Sequence, residues 1–411
     1  MGILLKDCGK IMTLSEKEKE NELENLSIYI EKDKIKKIDS YDNLIDQINE
    51  DIEIIDCSKK TVLPGFVDPH THLVFGGDRL DEYVAKLTIT DPNEIKKRVG
   101  LVGLASSIYQ TGEAGYEGLM ESSLEKLNNL LLNGITTVEI KSGYGIDKDV
   151  ELTQLKVIRD VEKKVPQTII STYLGGHDWD KEMGKDKYLE FMLNEVMPIV
   201  AKENLADMVD IWVEDVFFST EQGRKYLKRA KELGLNSTIH GNELSSIGAS
   251  KMAAQEGAFS VAHLNYITEE EIDIMIEKNV VGIVLPTTDY VKQYDDNLAN
   301  GRHLIDRGLT VALATNINPG NYTVSMSLVM DMACRRHGFT PYEALKGATL
   351  NAAKALRIEK EYGSIEVGKY ADLQIWDTDD YQNVVYRHGM NFVETVIKHG
   401  NIVVKDRKLV Y

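Results

Sequence analysis

Only three cysteines occur in 411 residues, Cys8, Cys57 and Cys334, far apart and never as CxxC. That excludes a zinc-finger pattern and a disulfide framework, and it fits a reducing cytoplasm. Basic residues are scarce as well, with 48 Lys and Arg against 66 Asp and Glu for a formal charge of -18. Phosphate binding needs a basic stripe, so neither nucleic acid nor an anionic membrane is an expected partner. No apolar run approaches the roughly 20 residues a membrane helix needs. The opening segment carries only Ile3-Leu4-Leu5 before Lys6 and Asp7, too short for the core of a signal peptide. Also missing is a GxGxxG or GxxxxGK[ST] loop after the first strand of the central region, which removes the usual mark of a nucleotide-binding sheet.

What is present suffices for a large core: 43% of the residues are hydrophobic and 28% charged. Residues 1–62 hold short β-rich pieces, 27–30 and 52–55, broken by charged turns. The Glu-rich stretch 15–24 among them reads as a solvated loop or hairpin tip. Residues 360–411 return to the same style, with apolar pieces at 372–376, 395–397 and 402–404. Short strands at the two ends cannot make cores alone, so they are expected to pair into one small composite β-sandwich domain. Between them, residues 63–359 alternate strand with helix. Strands are predicted at 62–67, 136–141, 167–174, 208–213, 237–240, 260–263, 280–285 and 311–315, with intervening helices such as 118–132, 150–162, 221–233, 246–255 and 269–277. This alternation predicts a parallel sheet, and eight units favour closure into a (β/α)8 TIM barrel over an open doubly wound sheet.

In a barrel the reacting groups sit where strands end, because the loops at that face converge on one cavity. Polar candidates fall there: His70 and His72, Lys141, His177, Glu214 with Asp215, His240, His263, and Asn316 on the last strand. His70 and His72 are two apart on extended chain, so their imidazoles project from one side and can share an ion. A single strand-end histidine is more often structural. Five of nine in matching positions point instead to a metal centre, while His303, His337, His388 and His399 read as structural or surface groups. Imidazole nitrogens suit zinc or iron, and an ion with an open position lowers the pKa of water to about 7. Glu243, three residues after His240, is the best-placed carboxylate to move protons, although its spacing fits a first-turn helix residue equally well.

The run Pro64-Gly65-Phe66-Val67-Asp68-Pro69-His70-Thr71-His72 resembles the first barrel strand of the amidohydrolase superfamily, and Leu73-Val74-Phe75-Gly76-Gly77-Asp78-Arg79 narrows the resemblance to the imidazolonepropionase family. Further matches are Val138-Glu139-Ile140-Lys141-Ser142-Gly143-Tyr144-Gly145, Leu174-Gly175-Gly176-His177, Ile239-His240-Gly241-Asn242-Glu243-Leu244, Ala262-His263-Leu264, Asn318-Pro319-Gly320, and 363–369. The resemblance implies one divalent ion, Zn2+ or Fe2+/Fe3+, and hydrolysis of the cyclic C-N bond of 4-imidazolone-5-propanoate to N-formimino-L-glutamate, in a cytoplasmic homodimer. It also implies that His70, His72 and His240 hold the metal with residue 316, and that Glu243 and His263 handle protons. By the same resemblance Arg79 pairs the propionate carboxylate, Tyr144 and His177 line the ring pocket, and Asn318, Gly320 and Asn321 lie near the substrate's carboxylate.

Three departures stand out. The family has an aspartate, a ligand and proton acceptor, where this chain has Asn316, which offers a carbonyl oxygen but takes no proton at neutral pH. Either an aspartate was replaced here to stop turnover and hold a ligand, or Glu243 and His263 work without it. The family's consecutive glycines are Arg98-Val99-Gly100-Leu101-Val102-Gly103 here, and a substrate-touching tyrosine has become Pro92. Both lie in the substrate loop, where specificity would alter, so a second reading is a sister amidohydrolase acting on another small cyclic amide, amidine or imidazole-derived ring; Asn316 opens a third, a binding protein that kept the barrel and pocket but lost turnover.

Overall fold

The computed structural model describes residues 2–17, 21–48, 51–292 and 297–411. Its first strand, β1 (Gly2–Met12), pairs antiparallel along one edge with β2 (Glu22–Glu31), which pairs in turn with β3 (Lys34–Asp39). Along its other edge β1 runs parallel to β4 (Ile52–Asp56) and then to β5 (Thr61–Pro64). Of the Glu-rich stretch, Glu22 to Glu24 open β2, while residues 18–20 lie outside the described residues.

The barrel strands follow: β6 (Phe66–Asp68), β7 (Ile135–Lys141), β8 (Thr168–Gly176), β9 (Met208–Val213), β10 (Asn236–Gly241), β11 (Ser260–His263), β12 (Val281–Val284) and β13 (Val311–Leu313). Each is parallel to the next, in chain order. The seam between the last and first strands is closed just beyond their ends. Asn316 N–H donates to His70 O at 3.1 Å, His72 N–H donates to Ile317 O at 2.9 Å, and the Asp68 carboxylate accepts from Thr315 N–H at 3.1 Å and its hydroxyl at 2.5 Å. Every residue of β7 and β12 is buried, as strands wrapped by helices require.

The wrapping helices follow the apolar period read from the sequence. Thr220–Glu232 buries Gly223, Tyr226, Leu227 and Ala230 on one stripe, and Ser219 with Gln222 closes its first turn in a capping box. The helix expected at 118–132 begins earlier, at Gly103, and bends at Gly115, where φ is 57°. Its first limb buries only Ser107 and Thr111, so it carries no apolar stripe to read.

The run 62–67, expected as one barrel strand, divides at Gly65 between two sheets. Gly65 N–H donates to Asp372 O at 2.8 Å, and a Cβ there would meet Thr136 Oγ1 at 2.3 Å, so glycine lets the chain pass tightly from β5 to β6. After the barrel come β14 (Leu373–Trp376), β15 (Val393–Lys398), β16 (Asn401–Lys405) and β17 (Lys408–Leu409). β14 pairs antiparallel with β5, which makes one nine-stranded mixed sheet from the two ends of the chain. The sheet packs on the barrel through Leu63, Val393, Val396 and Trp376, whose ring meets Phe66 edge-on at 6.0 Å. Among the described residues no helix is long and apolar enough to cross a membrane.

Candidate active site and metal centre

Five imidazoles converge at the C-terminal end of the barrel. His70 and His72 extend beyond β6, His177 beyond β8, His240 lies in β10 and His263 ends β11. All five are buried. Ring centroids separate His70 from His240 by 4.4 Å, His72 from His240 by 5.1 Å, His70 from His72 by 5.5 Å, and His240 from His263 by 5.4 Å. Two triplets each bring one ligand atom per residue within 4.8 Å, His70 with His240 and His263, and His72 with His177 and His240. His240 belongs to both, whereas His70 and His72 fall in different triplets.

Hydrogen bonds around the cluster fix which nitrogen faces inward. His240 Nδ1 lies 3.0 Å from Asp210 Oδ2, so that nitrogen carries the proton and Nε2 keeps its lone pair. That Nε2 stands 3.1 Å from His72 Nε2, a little under the ~3.4 Å spacing of two tetrahedral imidazole ligands at about 2.1 Å from a shared ion. His177 Nδ1–H donates to Gly143 O at 3.1 Å, and its ring stacks on His72. Neither ring nitrogen of His70 has a partner, nor does His72 Nδ1, His263 Nδ1 or Asn316 Oδ1. Buried polar atoms left unpaired are costly, and a set of neutral imidazole nitrogens is the donor chemistry of a divalent metal. Burial keeps four of the five uncharged: it pushes His70 and His72 well below the usual histidine range, and His177 and His263 down to about 3.

Beneath the cluster lies a fully buried ion group. Lys141 Nζ pairs with Glu139 at 2.6 Å and with Asp210 at 2.9 Å. Burial disfavours the ammonium, but Asp210 and Glu139 hold its pKa above the ordinary value. The other Glu139 oxygen accepts from Thr71 N–H at 3.2 Å, between the two histidines of the HxH run. The sequence marks Lys141 as a strand-end residue and gives Asp210 and Glu139 no role; the signal for them is a carboxylate between apolar neighbours, Val209 and Ile211 in β9 and Val138 and Ile140 in β7.

Glu243 is buried with Oε2 3.4 Å from His263 Nε2, and Lys292 binds its Oε1. Burial opposes the charged form, yet His263 and the Lys292 ammonium hold this carboxyl at about 2. The loop carrying it is anchored by Glu214, which accepts from Glu243 N–H at 2.5 Å, Leu244 N–H at 3.2 Å and Ser245 hydroxyl at 2.5 Å. His263, Leu264, Asn242 and Asn316 take positive φ of 85°, 69°, 57° and 49°. Such strain costs energy and gathers where side chains must be aimed.

Of the expected substrate residues, Tyr144 stands 5.4 Å from His177 and 5.9 Å from His72, centroid to centroid. Arg79 reaches Gly320, where a Cβ would lie 2.8 Å from its Nη1. Asn316 donates its amide to Thr288 at 2.9 Å. The amides of Asn318 and Asn321 are spent on the loop itself: Asn318 Oδ1 accepts from Gly320 and Asn321 N–H, and Asn321 Nδ2 donates to Thr315 O at 3.0 Å. Pro92 opens the helix Pro92–Val99, capped by Asp91, and Gly100 ends it at φ 81°. A cavity of about 690 Å3 lies to one side, sharing Tyr144 with the cluster and walled by Tyr109, Ile146, Tyr188 and Phe191.

A parallel eight-stranded barrel with histidines from four strand ends and a carboxylate beside them defines a hydrolase of the amidohydrolase kind. The chain belongs to the amidohydrolase family, whose sequence profile matches residues 61–403. Within it the similarity runs to imidazolonepropionases. The chain is 38% identical to the imidazolonepropionase of Geobacillus sp. (strain WCH70), covering 100% of this chain and 99% of that protein. It is 38% identical to that of Clostridium tetani (strain Massachusetts / E88), covering 98% of each. Solved structures share the fold at low identity. An atrazine chlorohydrolase from Arthrobacter aurescens TC1 complexed with zinc matches with a TM-score of 0.72 at 16% identity, over 99% of this chain and 96% of that one. An adenosine deaminase from Xanthomonas campestris with bound zinc matches with a TM-score of 0.74 at 17% identity, over 99% and 94%.

Proposed function

We propose that this enzyme hydrolyses the cyclic C-N bond of 4-imidazolone-5-propanoate to N-formimino-L-glutamate. The observation that carries the reading is the convergence, at one barrel end, of unpaired neutral imidazoles, a buried carboxylate and an arginine, in a chain similar over its full length to imidazolonepropionases. By likeness to the family, His70, His72 and His240 would hold one zinc or iron ion with Asn316 Oδ1 as a further donor, His240 being the residue common to the two histidine triplets, of which one holds His70 and the other His72. When bound, the ion supplies Lewis acidity that makes water a nucleophile near neutral pH.

The remaining work falls to the chain's own groups. His263 is neutral at pH 7 and its Nδ1 is unpaired, so it can take a proton from water. Glu243, charged and 3.4 Å from the other ring nitrogen, stabilises the imidazolium so formed. The water oxygen bonds to the ring carbonyl carbon, the C-N bond breaks, and the leaving nitrogen receives the proton from His263. Tyr144 and His177 flank the ring, and Arg79 meets the propanoate carboxylate. Asn316 leaves proton transfer to the Glu243 and His263 pair, so restoring a second acceptor should help: Asn316→Asp is expected to raise turnover at least about 100-fold. An unchanged rate would show that residue 316 acts only as a donor atom.

The reading includes a homodimer in the cytoplasm; the three unpaired cysteines support the compartment, and light scattering measures the assembly. The decisive assay follows the ultraviolet absorbance of imidazolone propanoate with zinc- or iron-loaded protein and identifies the formimino product. No loss of absorbance with either metal would overturn the activity.

A further inference from the structure

The short helix Leu80–Lys86 buries only Glu82 and Ala85. Leu80, Tyr83, Val84 and Leu87 are exposed, while Glu82 is only 4% exposed. A carboxylate is seldom buried unless paired, and Glu82 is paired four times. It accepts from Arg79 Nη2 at 2.6 Å, Arg79 Nε at 2.9 Å, Lys86 Nζ at 2.5 Å and Gly103 N–H at 2.8 Å.

A guanidinium has two carboxylate-binding edges: the side edge, Nε with one Nη2 hydrogen, and the end edge, Nη1 with the other Nη2 hydrogen. Glu82 fills the side edge. The end edge is left, and Nη1 is the atom that crowds Gly320. Arg79 and Lys86 bring two positive charges against the single negative charge of Glu82, so the group keeps a net positive charge toward an incoming anion. Through Gly103 N–H the same carboxylate ties Arg79 to the start of the helix Gly103–Leu132, fixing the plane of the guanidinium rather than merely screening it.

We infer that Glu82 is a positioning residue for substrate recognition, gripping the side edge of Arg79 so that its end edge meets the carboxylate of the substrate. This rests on the reading of Arg79 given above. The test uses metal-loaded wild type, Glu82→Gln, Glu82→Ala and Arg79→Ala with two substrates, 4-imidazolone-5-propanoate and its propanamide analogue. Both Glu82 variants are expected to raise KM for the propanoate at least about tenfold, kcat staying within about threefold, and to leave kcat/KM for the propanamide within about twofold. Equal losses on both substrates, or an unchanged KM for the propanoate, overturn the inference. If Arg79→Ala also leaves the propanoate KM unchanged, the assignment of Arg79 has failed instead. A raised KM in Arg79→Ala with wild-type behaviour in Glu82→Gln sinks the positioning role alone.

Discussion

Single side chains decide whether five buried imidazoles can act together. An imidazole that binds an ion must present a lone pair to it, and its tautomer is set by what the far nitrogen touches. For His240 that partner is Asp210, and Lys141 in turn neutralises Asp210. Asp210→Asn keeps the shape but offers an amide that can donate to the imidazole, which releases the tautomer. It is expected to weaken metal binding by roughly 10- to 100-fold, measured by metal competition with a chelator, while the metal-free protein melts cooperatively. Unaltered affinity would mean that His240 is aimed by packing alone. The histidines were legible in the sequence because they close apolar runs. Asp210 and Glu139 were not, because a carboxylate within a strand has no periodicity, and its partners arrive from strands far away in the chain.

At the level of elements, each strand hands its last residue to a loop that must hold one conformation. The loop after β7 is held by Glu151, buried in the helix Lys148–Val161, whose Oε2 accepts from Gly145 N–H at 3.0 Å next to Tyr144. Burial pushes this carboxyl up to about 8. A free glutamate titrates near about 4.3, so between that pH and about 8 the folded chain holds a proton that the unfolded chain has lost. The resulting stability is fully present below the unfolded value and is lost as the pH rises through about 8. Glu151→Gln carries no such proton. The melting temperature of the variant relative to wild type should therefore move upward by a few degrees between pH 6 and pH 9, measured by scanning calorimetry; a constant difference would contradict the shift. The barrel strands and the five helices named from the sequence were readable from apolar period, and the helix 269–277 matches residue for residue. The division at Gly65 was not, because it depends on Asp372 and Thr136, which no local pattern brings near.

The whole molecule is a barrel whose first strand is continued from a sheet made by both ends of the chain. Removing residues 373–411 would strip β14 from β5 and uncover Leu63 and Phe66, which pack with Trp376. Such a truncated chain is expected to be insoluble on expression, and a soluble, metal-binding fragment would show that the barrel stands alone. The pairing of β5 with β14 also has a temporal consequence. Synthesis proceeds from the first residue, and β5 leaves the ribosome roughly 300 residues before β14, its partner on the edge away from β1, exists. Throughout that interval the nascent polypeptide carries an open, aggregation-prone edge that the cell must shelter, so production of this enzyme should be more sensitive to chaperone supply than its finished stability implies.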